Sequence, residues 1–396
     1  MISRNSFYQF FLAFISAGWW QQPLQSMSSL SNTITATLTG QPPFYQPTVI
    51  AITPNGDYAY VANHYSEDTT GFIDIFNVPA NTYISPITNV NLPSSFAFTP
   101  DGTYLYFTSF EHNTVNAIQL SDNTVTATIN LALGARPSSL AITTNGEYAY
   151  VANSNTNTVN AIQLSDNTIT ATIDLALGAG HSSLAITPNG EYAYVANFNT
   201  NTVNAIQLSD NTITATIDLE SLAFSNSIAI TPNGEYAYVA NEGTNTVNVI
   251  QLSDNTITAT INLALGADPF SLAITPNGEY AYVANFSNNT VNQIFIEEPI
   301  TAPEQLTVCK GKNVFLNQTD YINVIYWQAP TTGTPVTYKI YRDAALTQLV
   351  ATLSATTLSY ADHNRIPGFT YTYYIVAIDG LGNVSSSAAV TALVAC

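Results

Sequence analysis

The chain of 396 residues is poor in charge and has almost no positive charge. Only 8% of its residues are Asp, Glu, Lys or Arg, and seven basic residues stand against 26 acidic ones, which gives a formal net charge of −19. Residues 31–296 contain nineteen Asp and Glu, one Arg and no Lys. Such a surface repels phosphate backbones and anionic lipid headgroups. The composition therefore excludes nucleic acid and anionic membrane surfaces as partners.

Residue patterns that carry catalysis are also scarce. The four histidines are dispersed without H-x-x-x-H spacing, and the chain has no G-x-S-x-G, no phosphate-binding glycine loop and no C-x-x-C. Repeated Ser-Asp-Asn segments could suggest calcium, but Asp and Asn at a tight hairpin are more simply turn formers. We therefore predict no metal, no cofactor and no catalytic site, and expect that the protein is not an enzyme.

The first twenty residues have the pattern of a signal peptide. Arg4 precedes the apolar run FYQFFLAFISAGWW, and the small residues 16–18 suit a cleavage region. A poorly ordered tail is the alternative, because Gln9 interrupts the run. The apolar run is shorter than the roughly 20 residues that span a bilayer. We predict an exported protein that is extracellular, at the cell surface or periplasmic.

What the sequence has in abundance is a repeat of 44 residues. Near-copies of LAITPNGEYAYVANFNTNTVNAIQLSDNTITATIDL (184–219) follow one another, and six Asn-Gly or Asp-Gly turns mark six units. Each unit has four short runs with alternating or β-branched residues, separated by turn residues, which predicts a four-stranded antiparallel sheet. Apolar side chains on both faces require stacking between neighbours. Repeats of about 40–45 residues with four strands are typical of β-propeller blades.

The two ends of the repeat region complement each other. The sixth unit stops after its third run, TVNQIFI (290–296), and a copy of the fourth run, SNTITATL (31–38), stands before the first unit. Pairing these segments would remove open sheet edges. We therefore predict an all-β, six-bladed β-propeller over residues 31–296, closed by an N-terminal strand.

The repeat resembles the YVTN-type β-propeller family through TPNGEYAYVAN, NTVNAI and NTITATI. The tetrad that names the family reads YVAN in five units and YFTS (106–109) in the second. The resemblance covers about two thirds of the chain. It implies the propeller fold, in a ring that often has seven blades in this family, and it implies little about the ligand, because the family is functionally mixed.

After a short linker, residues 297–305, the sequence changes character. Residues 306–396 contain five of the seven basic residues and no copy of the repeat. Pro, Gly and Asn separate five strand-like runs, VIYW (324–327), VTYKIYRD (336–343), LVATL (349–353), YTYYIVAID (371–379) and AAVTALV (388–394). Trp327 before Gln-Ala-Pro and the Pro-Gly-x-x-Tyr segment that ends at Tyr371 resemble the fibronectin type III family. The resemblance implies a C-terminal β-sandwich that acts as a spacer or binding platform.

The only two cysteines, Cys309 and Cys396, bracket this second module. In an exported protein an even number of cysteines favours a disulfide. The ends of a seven-stranded sandwich, however, lie at opposite poles, and a disulfide needs Cα atoms within about 7 Å. A Cys309–Cys396 bridge remains open at this point.

Differences between the units concentrate in two loops. One follows the second strand and the other joins consecutive blades, and in a propeller both lie around one mouth of the channel. Loops carry recognition more often than strands, and exposed aromatic side chains favour binding over drift. The predicted recognition face comprises His64, Phe110, Glu111, Arg136, His181, Phe198, Glu242, Asp268 and Phe286.

Two classes of function fit these observations. The first is a secreted or surface-displayed, non-catalytic binding protein, a monomer whose propeller recognises a protein or glycan. The alternative is an extracellular propeller hydrolase or lyase that acts on a carbohydrate or a lactone. Metal-dependent propeller lactonases place carboxylates on their inner strands, whereas SLAIT and SIAIT have none. We therefore expect the non-catalytic binding protein.

Overall fold

The computed structural model describes residues 47–64, 70–296, 302–315, 318–330, 335–363, 365–366, 369–379 and 384–391. These residues form strands and turns and contain no helix, so the all-β prediction is confirmed. Accordingly, they include no helix that is long and apolar enough to cross a membrane. The chain divides into two compact units, residues 1–296 and 297–396. The predicted signal peptide and the predicted closing strand 31–38 lie outside the described residues.

The described part of the first unit forms six antiparallel sheets of consecutive strands, which we call blades 1 to 6. Blades 1 to 5 have four strands each, and blade 6 has three. In chain order the strands are β1 (Pro47–Ile52), β2 (Tyr58–His64), β3 (Thr70–Asn77) and β4 (Thr82–Asn91); β5 (Pro93–Phe98), β6 (Tyr104–Ser109), β7 (Thr114–Gln119) and β8 (Thr124–Asn130); β9 (Pro137–Ile142), β10 (Tyr148–Asn153), β11 (Thr158–Gln163) and β12 (Thr168–Asp174); β13 (His181–Ile186), β14 (Tyr192–Asn197), β15 (Thr202–Gln207) and β16 (Thr212–Asp218); β17 (Ser225–Ile230), β18 (Tyr236–Asn241), β19 (Thr246–Gln251) and β20 (Thr256–Asn262); and β21 (Pro269–Ile274), β22 (Tyr280–Asn285) and β23 (Thr290–Phe295).

The turn between the first two strands of a blade is fixed by its own side chains. In blade 4 the Thr187 hydroxyl accepts a hydrogen bond from the Tyr192 backbone N–H at 3.0 Å and donates to Asn189 Oδ1 at 2.6 Å. Gly190 has a φ of 72°, in the left-handed region that glycine adopts without strain. The Thr-Pro-Asn-Gly segment therefore determines where the inner strand ends and the second strand begins.

The blades stack through large and small apolar side chains, as the sequence pattern requires. Between blades 3 and 4, Tyr150 and Ala152 of β10 pack with Leu184 of β13 and with Ala193 and Val195 of β14. All five side chains are buried. First strands of consecutive blades are also neighbours from β1 through β21. The first unit is thus a β-propeller whose core lies between its blades.

Side-chain hydrogen bonds join each blade to the next at two levels. A buried tyrosine hydroxyl of the second strand donates at 2.7 or 2.8 Å to an asparagine Oδ1 in the last hairpin of the following blade, in the pairs Tyr60–Asn123, Tyr106–Asn167, Tyr150–Asn211 and Tyr194–Asn255. Burial raises the pKa of these four tyrosines to about 12, so each remains a donor. A serine Oγ of the inner strand accepts from a backbone N–H of the next inner strand, in the pairs Ser139–Leu184, Ser183–Ile228 and Ser227–Leu272.

The corresponding groups of blade 6 are not joined to a following blade among the described residues. Tyr282, the counterpart of Tyr194, instead accepts a hydrogen bond from Gln293 Nε2 of its own blade at 2.8 Å. Ser271, the counterpart of Ser227, has a buried Oγ without a hydrogen-bond partner. Phe295 of β23 is 57% exposed. The surface of blade 6 that corresponds to the blade-to-blade interface elsewhere therefore has the same types of residue, but it is more exposed than in the other blades.

Blade 1 contains a buried carboxyl group where the other blades have asparagine. Asp74 of β3 is fully buried, and its Oδ2 accepts a hydrogen bond from Asn63 Nδ2 at 3.2 Å. Asn204 holds the same register position in blade 4. Burial, opposed by a hydrogen bond with Tyr83, raises the pKa of Asp74 to about 6. At neutral pH the fold therefore contains a desolvated carboxylate.

Replacing Asp74 by Asn should raise the free energy of unfolding at neutral pH by up to about 3 kcal/mol, at ~1.4 kcal/mol per pKa unit. Because the carboxyl pKa is about 6 in the fold and 3.8 in the reference state, the folded protein binds the proton more tightly. Wild-type stability should then decrease as the pH rises from about 4 to about 7. Chemical denaturation of both proteins at several pH values measures the difference.

The reverse substitution provides the matched control. Asn204→Asp, at the same position of blade 4, should lower the stability at neutral pH and introduce a new decrease between about pH 4 and pH 7. Equal pH dependence of wild type and Asp74→Asn would show that the carboxylate is not desolvated in solution.

The described part of the second unit forms a three-stranded sheet, in the order β24-β25-β28, and a four-stranded sheet, in the order β27-β26-β29-β30. Its strands are β24 (Glu304–Phe315), β25 (Gln318–Gln328), β26 (Pro335–Tyr341), β27 (Leu349–Ser354), β28 (Ser359–Asp362), β29 (Thr372–Asp379) and β30 (Ala388–Thr391). The sequence predicted five of these strands and missed β24 and β28. Cys309 of β24 is disulfide-bonded, and the only other cysteine, Cys396, lies outside the described residues.

The two sheets of the second unit share one core. Trp327 of the first sheet and Tyr338 of the second are both buried, with ring centroids 5.4 Å apart. Next to them, the Asp362 carboxylate accepts two hydrogen bonds from Arg342 Nη2, at 2.8 and 2.9 Å, and one from the Tyr373 hydroxyl at 2.6 Å. This polar network spans both sheets and fixes how they face each other.

Candidate functional site

The two variable loops of blades 3 to 6 meet on one face of the propeller, which we call the loop face. In blade 3 the backbone N–H of Ser154, after the second strand, donates to the carbonyl oxygen of Arg136, before the inner strand, at 3.1 Å. The same bond recurs in the pairs Phe198–Gly180, Glu242–Phe224 and Phe286–Asp268. Positions that the sequence analysis grouped are therefore neighbours in the structure.

The loops between blades display different side chains on one backbone conformation. Arg136, Phe224 and Asp268 have φ values of 52°, 49° and 48°, in the left-handed region that is costly for residues other than glycine. The backbone N–H of each donates to the Oδ1 of an asparagine in the preceding blade, in the pairs Arg136–Asn113, Phe224–Asn201 and Asp268–Asn245. The propeller thus holds these three residues in a strained, fixed position, as functional sites often do.

A basic and aromatic cluster lies at the junction of blades 2 and 3. The Arg136 guanidinium carbon is 5.3 Å from the centroid of the Phe110 ring. Arg136 is exposed, and no other Lys or Arg occurs in residues 31–296. Asn113 holds the Arg136 backbone N–H at 2.9 Å. The loop 110–113 therefore contacts Arg136 twice, at its backbone N–H through Asn113 and at its guanidinium through Phe110.

The same loop contains a serine–histidine pair. His112 is half-buried, and its Nδ1 is 3.1 Å from the Oγ of Ser109, which is fully buried. When Nδ1 carries the proton and donates it to Ser109, Nε2 has a lone pair available to accept a proton. Phe110 and Asn113 flank His112 in the loop, and both contact Arg136, so His112 and Arg136 border the same loop. We call Ser109, Phe110, His112, Asn113 and Arg136 the blade-2 cluster.

The other predicted aromatic residues form pairs. The Phe198 and Phe224 rings stack with centroids 5.2 Å apart, and the Phe286 ring is 6.1 Å from that of Phe270. Phe198 is half-buried, and Phe286 is 40% exposed. Each ring therefore packs on a neighbour on the loop face, which reduces the apolar area that it offers to a partner.

The predicted acidic residues lie apart in different blades. Glu242 Oε2 accepts a hydrogen bond from Asn226 Nδ2 at 2.7 Å, and the Asp268 carboxylate accepts one from the Ser287 hydroxyl. Glu111 is exposed beside Phe110. Within the described part of the chain, no group of three or more His, Cys, Asp or Glu side chains is placed to hold a metal ion.

Two of the predicted residues are placed by the backbone alone. His64 is the last residue of β2 and pairs with Gly71, and His181 is the first residue of β13 and pairs with Asn197. Both positions are at the ends of strands that border the loop face. Neither belongs to the blade-2 cluster.

Sequence reasoning did not select Ser109, His112 and Asn113. The signal was available, because blade 2 has YFTS where the other blades have YVAN, and His112 where blades 3 to 5 have Thr156, Thr200 and Thr244. A comparison of every position of the repeat, and not only of the most variable loop positions, would have identified Ser109 and His112.

A groove of about 570 Å³ lies at the opposite face, between blades 2 and 3. Its walls include Asp101 and Tyr104 of blade 2 and Glu147 and Tyr148 of blade 3. These residues follow the turns between first and second strands, and none of them belongs to the loop face. The groove brings no nucleophile or base together with a cation, so the blade-2 cluster is the better candidate site.

Comparison with known proteins identifies lactonases as similar to part of the first unit. The family model Lactonase, 7-bladed beta-propeller, matches residues 106–220, which include the whole blade-2 cluster but less than half of the chain. Comparison with curated proteins finds no match.

One solved structure is similar in fold. A protein from Bacteroides uniformis ATCC 8492, provisionally named a 6-phosphogluconolactonase, is 16% identical with a TM-score of 0.55, over 66% of this chain and 84% of that chain. Hydrazine synthase from Kuenenia stuttgartiensis is also 16% identical, over 68% of this chain and 99% of that chain, with a TM-score of 0.44. At this identity the first likeness shows the propeller fold alone.

The comparisons correct the prediction about function. A non-catalytic binding protein and the absence of enzymatic activity were expected, and the lactonase match contradicts both. The alternative, a propeller hydrolase, agrees better with the match. The expectation rested on the absence of carboxylates from the inner strands, and the lactonase match to residues 106–220 overturns it.

Proposed function

We propose that the first unit is a lactonase-type hydrolase that opens a lactone ring with water at the blade-2 cluster. The observation that supports this most is that the lactonase model matches the segment containing Ser109, His112 and Arg136. This segment also holds the single cation of the propeller and an imidazole within hydrogen-bonding distance of a hydroxyl. Ester hydrolysis needs a base for water and a stabiliser for the oxyanion, and these two residues are of those types.

The chemistry assigned to the cluster is acyl transfer to water. His112 Nε2 accepts a proton from the water molecule whose oxygen attacks the lactone carbonyl carbon. The Arg136 guanidinium stabilises the negative charge that develops on the carbonyl oxygen. The bond from the carbonyl carbon to the ring oxygen then breaks, and that oxygen takes the proton back from His112. The product is the open-chain hydroxy acid.

The surrounding residues preorganise the two reacting groups. Ser109 Oγ accepts a hydrogen bond from Nδ1–H in the tautomer that leaves Nε2 basic. Asn113 holds the Arg136 backbone, and the Phe110 ring restricts the guanidinium. Fixed dipoles and charges lower a barrier more than mobile ones, since no reorganisation is needed during the reaction.

Base consumption at constant pH tests this proposal. The wild-type protein should release acid from a panel of γ- and δ-lactones, and Arg136→Gly should lower kcat/KM by about 10-fold to 100-fold through loss of oxyanion stabilisation. Glycine keeps the left-handed backbone, as Gly180 does at the same position with a φ of 55°.

Phe224→Gly is the matched control. It makes the same backbone change at another junction, where φ is 49°, and should leave the rate within about two-fold of wild type, because no role in catalysis is assigned to Phe224. An equal loss of kcat/KM in both variants would mean that the change to glycine, and not the missing guanidinium, lowers the rate. The absence of hydrolysis of any lactone by wild-type protein would reject the proposed function.

We also propose a finer description of the fold. The propeller of the YVTN type has six blades and is closed by residues 31–38, which supply the fourth strand of blade 6. The exposed surface of β23 and the partnerless Ser271 Oγ support this closure.

The second unit is proposed to be a fibronectin type III-like module. The order of its two sheets and the buried Trp327 support this assignment. The Tyr371 hydroxyl accepts a hydrogen bond from the Ile366 backbone N–H at 3.1 Å, as expected for a tyrosine corner. We further propose that the protein is exported and monomeric, and that it binds no nucleic acid, on the basis of its charge.

A further inference from the structure

We infer that the lactone is uncharged and carries an alkyl substituent that lies against Leu133. This inference rests on the proposed function and names its substrate class. It depends on three features of the described propeller: the charge around Arg136, the exposure of Leu133, and the short path between these two residues.

The charge around the site does not suit a phosphorylated sugar lactone. Phosphate groups are usually held by several Arg, Lys or backbone N–H donors. Arg136 is the only Arg or Lys of residues 31–296, and the exposed carboxylate of Glu111 follows Phe110, the ring on which Arg136 rests. An uncharged substrate avoids the repulsion of the acidic propeller.

Leu133 offers an apolar contact that the fold leaves uncovered. Its side chain is 96% exposed at the tip of the loop that joins blades 2 and 3. The tip is a tight turn in which the Ala135 N–H donates to the Ala132 carbonyl at 3.0 Å. Asn155 Nδ2 donates to the Gly134 carbonyl at 2.8 Å. Covering an exposed leucine side chain with an alkyl group is favourable. Because the turn already fixes this residue, binding costs little conformational entropy there.

The position of Leu133 connects it to the reacting groups. Arg136 is three positions after Leu133 in the same loop, so their Cα atoms are at most about 11 Å apart. The Phe110 ring under the guanidinium adds apolar surface at the same junction. A lactone whose carbonyl oxygen meets Arg136 can therefore direct an alkyl chain along the loop towards Leu133.

The repeat supplies a matched control for this contact. Leu265 occupies the same position in the loop that joins blades 5 and 6 and is also 96% exposed. Asp268 replaces Arg136 at that junction, and Thr244 replaces His112 in the blade before it. Leu265 thus shares the environment of Leu133 without the catalytic groups.

Steady-state hydrolysis of three lactones by the full chain tests the inference. γ-Decalactone has a hexyl substituent, γ-valerolactone has only a methyl group, and 6-phosphoglucono-δ-lactone is anionic. We expect the highest kcat/KM for γ-decalactone. Leu133→Asn should reduce the preference for γ-decalactone over γ-valerolactone by about five-fold to ten-fold, the effect of losing part of one apolar contact. Leu265→Asn should leave the preference unchanged.

The outcomes separate this inference from the proposed function. The highest kcat/KM for 6-phosphoglucono-δ-lactone, or equal effects of Leu133→Asn and Leu265→Asn, would overturn the inference and leave lactone hydrolysis standing. If no lactone is hydrolysed, the proposed function fails, and calorimetric titration with 5-hexyl-2-pyrrolidinone, the lactam analogue of γ-decalactone, decides the binding question. Binding that Leu133→Asn weakens would support the alkyl site, and no binding to wild type would reject it.

Discussion

Replacing His112 by threonine should lower kcat/KM for lactone hydrolysis by about 100-fold or more while the melting temperature stays nearly unchanged. A positioned general base contributes about 10²–10⁴ to a rate. His112 is half-buried in a loop, and among the described residues its imidazole bonds only to Ser109, so we expect little loss of stability when it is replaced. Hydrolysis rates and thermal unfolding of the same preparation measure both quantities.

Threonine is the informative replacement because blades 3 to 5 use it at this position. In blade 4 the Thr200 hydroxyl bonds to Thr202 at 3.0 Å in the same loop conformation. The reverse variant, Thr200→His, places an imidazole in a blade whose junction has Phe224 and no cation, and it should add no activity. A wild-type rate in His112→Thr would show that another group removes the proton from water.

The periodic part of the fold could be predicted from the sequence because its causes are local. The Thr-Pro-Asn-Gly turn fixes strand ends through Thr187 and Gly190, and the alternation of Tyr194 with Val195 assigns each side chain to one of two blade interfaces. The same reasoning missed β24, whose apolar run is interrupted by Lys310, Gly311 and Lys312, and β28, which has only 4 residues.

The site could be predicted only as a set of loop positions. Sequence comparison indicated that Phe110 and Arg136 lie on one face, and the structure adds that they are in contact. That contact depends on a left-handed Arg136 backbone held by Asn113, a conformation that no local propensity favours for arginine. His112 was not selected because its partner, Ser109, departs from the repeat inside a strand and not in a loop.

Removing residues 1–40 should lower the stability of the whole propeller by at least about 3 kcal/mol and promote self-association. In blades 3 and 4 the fourth strand supplies a buried isoleucine, Ile173 or Ile217, and completes the hydrogen bonds of the third strand. Leu38 is the residue of SNTITATL that matches Ile217. Loss of one such side chain costs about 2–5 kcal/mol, and an unpaired β23 edge invites pairing with another chain. Thermal unfolding and sedimentation measure both effects.

A point substitution tests the closure more sharply than the truncation does, because it keeps the chain length. Leu38→Ser should destabilise the propeller by about 2–4 kcal/mol if this residue enters the interface of the last blade. Ile217 holds the matching position of blade 4, where it is only 6% exposed. The loss of stability in Ile217→Ser therefore calibrates the loss expected for Leu38→Ser. A neutral Leu38→Ser beside a destabilising Ile217→Ser would mean that residues 31–38 do not complete blade 6. Similar losses in both variants would mean that the first and last segments of the repeat region form one blade, so that the ring of six closes on itself.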